Sequence, residues 1–444
     1  MPHMGGIFAP YEPNQQLLLP PSLRDWLPED HLCYFISDTV DQLDITSIVK
    51  KYRAGGSGNV AYHPRLMLKL LIYGYSTGVF SSRRIARHIE ENVAFRVLAA
   101  DQSPSHRSIC RFRQEHVSEF NDLFIQVVEI AVASGLAKMG TLAIDGTKIK
   151  ANASKHKAMS YGRMKEEEKR LRGEIQALVK AADDVDALED VQFGPNFRGD
   201  EIPQELRRRE NRLQVIKEAK KRLEERKREE DAEKIEAEKK REKDEKKPGP
   251  KRKHPLGKPK DTDQENFTDP DSRIMPKGSA GFDQSYNAQT AVDGDNQIIV
   301  AAAVTQCAAD CAELLPTLDE AIENTSETPE KVLADSGYKS EANFAELEQR
   351  GIDAYVPLGR EGKSTRKIDP EKVATQNMQR KMKTKRGRRR YAARKHIVEP
   401  PFGWIKHCLG FRSFSLRGLA KVSGEWSLVC LALNLKRMNQ KIAW

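Results

Sequence analysis

The chain has 444 residues, 32% of them charged, and a net charge of +10. That length accommodates two or three domains with a sizeable core, and the positive surplus points either to a polyanionic partner, nucleic acid first, or to solubility alone. The longest apolar run near the end, Leu428–Leu433, falls far short of the about 20 residues that span a bilayer. The six cysteines, Cys33, Cys110, Cys307, Cys311, Cys408 and Cys430, have neither C-x-x-C spacing nor the density of a disulfide scaffold. They predict reduced, mostly buried thiols in a cytoplasmic protein, and the N-terminus lacks the basic-then-apolar pattern of an export signal.

In chain order, residues 1 to about 20 are Pro- and Gln-rich and read as extended. From Ser22 to about Gly135 the pattern is helical. Ser22-Leu-Arg-Asp opens one helix, His63-Pro64 opens another with proline in its first turn, and Ser81 or Ser82 caps a third with Ile85, Ala86 and Ile89 on its apolar side. Ser103 to Arg113 then has the build of a recognition helix: Arg107, Arg111 and Arg113 project, while Ile109 and Phe112 pack inward. Two short helices before it make a helix-turn-helix-like arrangement; a plain amphipathic helix with a solvated basic face fits the same residues. A helix from Phe120 to about Leu136 closes the segment.

Thr141 to Ala151 reads as a strand with an acid in its middle. Leu142 and Ile144 are apolar, Asp145 follows, and after Gly146 the residues Thr147, Ile149 and Ala151 alternate with Lys148 and Lys150. A carboxylate in a sheet requires a cation or a proton.

From Arg163 to Lys247 the chain is dominated by Glu, Lys and Arg. Met164, Glu168, Leu171, Ile175, Leu178 and Ala182 form a heptad seam, and Leu206, Leu213, Ile216 and Leu223 form a second. With turn chemistry at Phe193–Gly199 between them, the two predict an antiparallel coiled-coil arm; a single solvated helix or a disordered tract is the alternative, chiefly after Arg226. Lys247–Lys260 is a Pro-rich basic linker.

Beyond Asp283, Tyr286–Val292 and Gln297–Val304 predict a hairpin around Asp293-Gly294-Asp295-Asn296. A helix over Ala308–Asn324 follows. Lys331-Val-Leu-Ala-Asp335-Ser-Gly337-Tyr338 then repeats the earlier device, a strand ending in a carboxylate with glycine close behind. A helix over Glu341–Gln349 and a strand over Ile352–Leu358 complete an α/β layout, one sheet covered by helices.

Two strand-end aspartates in one small sheet would repel, and one would take up a proton. A pair of Mg²⁺ ions roughly 4 Å apart resolves the conflict and clamps the oxygens of an in-line attack on phosphate. The candidate third acid is Glu399, just after the basic tract Arg380–Arg394; Pro400 disfavours helical geometry at Glu399 and predicts a cap or kink there.

These residues carry a family resemblance. The chain resembles bacterial insertion-sequence transposases of the DDE type, through Leu-Leu-Leu-Pro-Pro-Ser-Leu-Arg-Asp-Trp-Leu-Pro near the start, Ile-Asp145-Gly-Thr, Tyr286-Asn287-Ala-Gln289-Thr-Ala-Val-Asp293, Leu-Ala-Asp335-Ser-Gly-Tyr and Val-Glu399-Pro-Pro-Phe-Gly-Trp. The resemblance implies an RNase H-like mixed sheet flanked by helices, over 139–163 and 276–444. It also implies an InsH-like all-α N-terminal DNA-binding domain over 1–138, with 164–275 as the inserted helical hairpin arm and linker. Asp145, Asp335 and Glu399 are then the catalytic metal ligands, for two Mg²⁺ ions with Mn²⁺ able to substitute. In the family signature around the glutamate, Glu399 and Lys406 fit, Lys395 takes the arginine place and Ala392 the tyrosine place, with Tyr391 and Arg394 displaced by one. Lys406 is expected to hold a phosphate, Lys148 and Lys395 to contact DNA, and Arg107, Arg111 and Arg113 to read the terminal inverted repeats. The implied activity is cleavage at element ends and strand transfer into double-stranded target DNA, by a homodimer at the bacterial nucleoid. A nuclease with the same core but no joining, and an inactive DNA-binding remnant, are the competing expectations.

Overall fold

The computed structural model describes residues 23–52, 61–193, 204–232, 235–236, 254–276, 281–359 and 368–442. The extended N-terminal segment, most of the turn expected at Phe193–Gly199 and the first half of the basic linker lie outside them.

Helices α1 (Leu32–Gln42), α2 (Thr46–Val49), α3 (Pro64–Ser76), α4 (Ser82–Glu91), α5 (Val93–Leu98), α6 (His106–Glu115) and α7 (Phe120–Ala133) make the N-terminal part helical. Local chemistry sets their starts. His63 caps α3 through Nδ1 with Pro64 at its first position, and the Ser105 hydroxyl accepts from the Ser108 amide at 3.2 Å to open α6. The segment at Ser22, expected to be a helix, is a short 3-10 turn over Leu23–Trp26.

The sheet that follows is mixed. Strand β1 (Thr141–Lys150) runs antiparallel to β5 (Phe282–Asp293) and parallel to β7 (Lys331–Ala334), which pairs in parallel with β8 (Asp353–Tyr355). On its other edge β5 pairs antiparallel with β4 (Arg273–Pro276) and then with β6 (Ile299–Thr305). Leu142, Ala143 and Ile144 are all buried, as a central strand covered on both faces requires. The expected hairpin forms with Asp293 caging its own turn: its carboxylate accepts from the Asn296 amide at 2.7 Å and the Lys138 amide at 3.1 Å.

Between β1 and β5 the chain makes a long excursion. A small antiparallel pair, β2 (Ala158–Ser160) with β3 (Gln264–Asn266), stands at its base. Helices α8 (Tyr161–Phe193) and α9 (Gln204–Glu230) rise from there and pack on each other through Met164, Leu171, Leu213 and Ile216, members of the two seams, and through Ala219, which neither seam includes. Glu168, the polar seam position, is neutralised by Arg172 at 2.5 Å and Lys220 at 3.1 Å. Helix α9 continues to Glu230, past Arg226 where the seam thins.

The remaining helices are α10 (Leu314–Thr325), α11 (Glu341–Gln349), α12 (Val373–Lys383), α13 (Lys385–Gly403) and α14 (Leu419–Ile442). Helix α14 is buried nearly all round, with Val422, Trp426, Leu428, Val429, Leu431 and Leu435 inside, and it lies against α3, α7 and β6 together. The N-terminal helices and the sheet therefore share one hydrophobic core. A Cβ placed on Gly424 would stand 2.0 Å from the Val117 carbonyl oxygen, so α14 passes the start of α7 with its backbone against that of the neighbouring segment.

Three sequence expectations are corrected. The helix expected from Ala308 begins only at Leu314, and 306–313 is a loop whose polar groups bond to the sheet. The helix at Glu399 does not end or cap there: α13 runs through Pro400 and Pro401 to Gly403 and passes into a π-helical turn, Trp404–Cys408. Pro400 cannot donate to the His396 carbonyl, which instead accepts from Gln297 Nε2 at 2.7 Å. Among the thiols only Cys33 and Cys430 are buried; Cys307, Cys311 and Cys408 are exposed, the first two because their segment is loop. Among the described residues no helix is long and apolar enough to cross a membrane.

Candidate active site

Strand register brings the two aspartates together. Ile144 pairs with Ala334 across the parallel β1–β7 ladder, and Asp145 and Asp335 are the next residue on each strand. Each carboxylate is fixed by its own glycine: Asp145 Oδ1 accepts from the Gly146 amide at 2.9 Å, and Asp335 Oδ1 from the Gly337 amide at 2.7 Å. Burial pushes the Asp145 carboxyl up, Arg394 pulls it back and Asp335 pushes it up again, and the net value is about 6. The neighbouring Tyr338 phenol is pushed up by its own burial and then by Asp145, Asp310 and Asp335.

Helix α13 supplies the counter-charge. Arg394 donates from a terminal nitrogen to Asp145 Oδ2 at 2.8 Å, while its Nε has no acceptor among the described residues. Burial lowers the affinity of this guanidinium for its proton, but Asp145 and then Tyr391 outweigh that and the net direction is up. Tyr391 lies beneath it, with the guanidinium carbon 5.9 Å from the ring centre. The residues displaced by one in the signature, Tyr391 and Arg394, thus stand at the acids. Two positions after Asp145, on the same face of β1, Thr147 accepts a hydrogen bond from Lys406 Nζ in the π turn.

Glu399 is exposed and makes no hydrogen bond or ion pair among the described residues. Five residues of helix separate it from Arg394, about 140° of rotation at 3.6 residues per turn, so the side that brings Arg394 to Asp145 turns Glu399 away. Lys395 is likewise exposed. Lys148, expected to meet DNA, points to the opposite face of β1 from Asp145 and binds Asp310 at 3.0 Å.

At the N-terminal helices, Arg107 is exposed and Arg111 pairs with Glu115 at 2.7 Å. Arg113 is a correction: it does not project. It is buried, donating to the Phe80 carbonyl at 2.9 Å and to the Tyr75 hydroxyl at 3.1 Å, and Tyr75 bonds Glu425 of α14 at 3.1 Å. With Ile109 and Phe112 inside, the residue after Phe112 follows them inward. On α4, which packs on α6, Arg83, Arg84 and Arg87 are exposed and form no ion pair among the described residues. No motif marks them in the sequence, although Ile85 and Ile89 on the buried side already assign them to the outer one.

The oxygen donors suit a hard divalent cation. Mg²⁺ is commonly held by one or two carboxylates, with waters and substrate phosphates completing its shell, and Asp145 with Asp335 provides that pair without histidine or thiolate. Among the described residues no group of three acid, histidine or cysteine side chains converges.

Residues 21–115 match the family model described as Transposase domain (DUF772), and residues 231–435 match the one described as Transposase DDE domain. Asp335 and Glu399 lie within the second match, while Asp145 lies between the two. No curated protein and no solved structure matches the chain.

Proposed function

We infer that this chain, which carries matches to a DUF772 transposase domain and a transposase DDE domain, is a DDE transposase of an insertion sequence that cleaves a phosphodiester at the ends of a DNA element and joins the freed 3′ end to target DNA. The observation that carries the reading is the pair Asp145 and Asp335 on neighbouring parallel strands, with the Asp145 carboxyl raised by burial to a net value of about 6 despite its ion pair with Arg394. The arrangement of β6, β5, β1, β7 and β8, antiparallel across the first three and parallel across the last, supports an RNase H-like core.

A divalent ion at these carboxylates supplies Lewis-acid stabilisation of the phosphate oxygens. Asp145 and Asp335 would hold it, and Glu399, which α13 turns away from them here, would join as a third carboxylate only if α13 re-orients on DNA. Lys406, already at Thr147, binds a phosphate oxygen on the Asp145 face. Arg394 releases Asp145 and offers its Nε to the same phosphate. Along α13, Lys385, Arg386, Arg388, Arg389 and Lys395 are exposed and form no ion pair among the described residues, so they present a basic track to the duplex. Arg107, together with the exposed Arg83, Arg84 and Arg87 of the helix packed on α6, grips the element end. The α8–α9 pair acts as a coiled-coil arm that bridges two copies of the chain on DNA.

Asp145→Ala tests the reading: strand cleavage at the element end disappears while end binding persists. Cleavage that survives this change overturns the assignment. Pre-cut ends distinguish a transposase, which joins them to target, from a nuclease, which does not. Deleting residues 165–246 converts the dimer to a monomer if the arm is the bridge.

A further inference from the structure

Asp310 sits in the loop between β6 and α10, and it binds more side chains than either strand-end acid. Its Oδ1 accepts from Asn287 Nδ2 at 2.6 Å, Lys148 Nζ at 3.0 Å and Gln289 Nε2 at 3.0 Å. Those donors are not scattered. Lys148 is the cross-strand partner of Asn287, and Gly146, beside Asp145, is the partner of Gln289. All lie on the face of the β1–β5 pair that Asp145 does not use, so one carboxylate ties the two strands together directly behind it.

The same network reaches the other acid. A Cβ on Gly146 would stand 2.3 Å from Gln289 Nε2, so the Gln289 amide lies flat over the glycine. Its Oε1 accepts from the hydroxyl of Tyr338, a fully buried residue that ends the 3-10 turn Ser336–Tyr338. Asp335 is the N-cap of that turn. Asp310 and Asp335 also flank Gly337, whose Cβ would meet Asp335 Oδ1 at 2.9 Å and Asp310 Oδ2 at 3.3 Å. The loop carrying Asp310 is itself anchored, through Asn287 to the Cys307 carbonyl at 3.0 Å and Asn343 to the Cys311 carbonyl at 2.7 Å.

We propose that Asp310 is a positioning residue: through Gln289 and Tyr338 it fixes the turn bearing Asp335, and through Lys148 and Asn287 it fixes the strand bearing Asp145, holding the two carboxylates at ion-binding separation. Asp310 is not itself a ligand, because three donors occupy its Oδ1 and the Lys148 ammonium repels a cation. The inference rests on the reading that Asp145 and Asp335 hold the divalent ion.

The test uses the full chain with Asp310→Ala, Tyr338→Phe, the double variant and Asp145→Ala. Mn²⁺ binding is followed by calorimetry without DNA, end binding by mobility shift in EDTA, and cleavage as a function of Mn²⁺ concentration. Groups that orient ligating carboxylates contribute about 10- to 100-fold to metal affinity. Asp310→Ala and Tyr338→Phe are each expected to weaken Mn²⁺ binding at least about tenfold. End binding should stay unchanged, cleavage should be rescued by excess Mn²⁺, and the double variant should be little worse than the more severe single. Tyr338→Phe keeps the buried ring and decides the matter if Asp310→Ala does not fold. Wild-type Mn²⁺ affinity in Asp145→Ala sinks the metal reading itself. Weakened binding in Asp145→Ala with wild-type affinity in both Asp310→Ala and Tyr338→Phe sinks the positioning role alone.

Discussion

Arg394 and Asp145, 249 positions apart in sequence, meet at 2.8 Å across the α13–β1 contact. Both are largely shielded, with 11% and 21% of their side chains exposed, so solvent screens the pair weakly and each partner depends on the other. A cation that takes Asp145 Oδ2 would compete with this guanidinium.

Arg394→Ala is therefore expected to destabilise the protein in EDTA by about 2 kcal/mol, since removing one member leaves an uncompensated buried charge. Added Mg²⁺ should recover more of the melting temperature in the variant than in the wild type, because the ion no longer competes with an internal cation. Equal Mg²⁺ shifts in the two proteins would contradict the competition. Lysine is a poor substitute, lacking the planar fork.

The Asp145 carboxyl gives the metal-free protein a pH signature. Its folded value, about 6, lies above the ordinary 3.8. Between those values the folded state keeps a proton that the unfolded chain has released, so stability is greatest below the lower value and declines as pH rises through the higher one. At about 1.4 kcal/mol per unit the full decline is at most about 3 kcal/mol. Urea unfolding in EDTA from pH 4 to 7 should show this decline in the wild type and its absence in Asp145→Asn.

Arg113 and Arg107 separate packing from DNA contact. Arg113→Ala strands Tyr75 and Glu425 in the interior and should cost about 3–5 kcal/mol by urea titration, with end binding per folded molecule unchanged. Arg107→Ala should leave stability alone, weaken end binding and lower the salt slope by about 0.9, the share of a single neutralised phosphate. The same effect is expected at Arg83, Arg84 and Arg87 in turn; affinity insensitive to all four would remove this face from the DNA-binding surface.

Gly424→Ala sets a Cβ 2.0 Å from the Val117 carbonyl, a backbone atom that cannot swing aside. The change should destabilise the whole chain by on the order of 3 kcal/mol, in a single unfolding transition. Two separated transitions would mean that the N-terminal helices and the sheet do not unfold as one unit.

What the sequence made legible was local. Asp145 and Asp335 stand out because an apolar run, an acid and a glycine within two residues form a pattern visible in a short window, and the turn at Asp293–Asn296 is legible for the same reason. Arg113 is buried because three arginines within seven residues cannot all share one helix face, and the inward side of α6 reaches past Ile109 and Phe112 to the next residue. Proline at 400 signalled a break that the Gln297 amide, 99 positions away from His396, makes unnecessary by occupying the His396 carbonyl. Asp310 left no signal: its partners Lys148, Asn287 and Gln289 reach it only once the β1–β5 register is set.

The β2–β3 pair has a consequence for the length of the chain it encloses. Tyr161 donates to the Asp263 carbonyl at 2.8 Å and Gly162 to that of Asp261 at 3.1 Å, so the excursion is closed at its root before it reaches the sheet. Whatever lies between those bonds is mechanically insulated from Asp145. The entropy of closing such a loop grows only logarithmically, by about 0.6 kcal/mol per doubling, so the arm is free to lengthen, shorten or accept foreign sequence while the spacing of the two acids stays fixed.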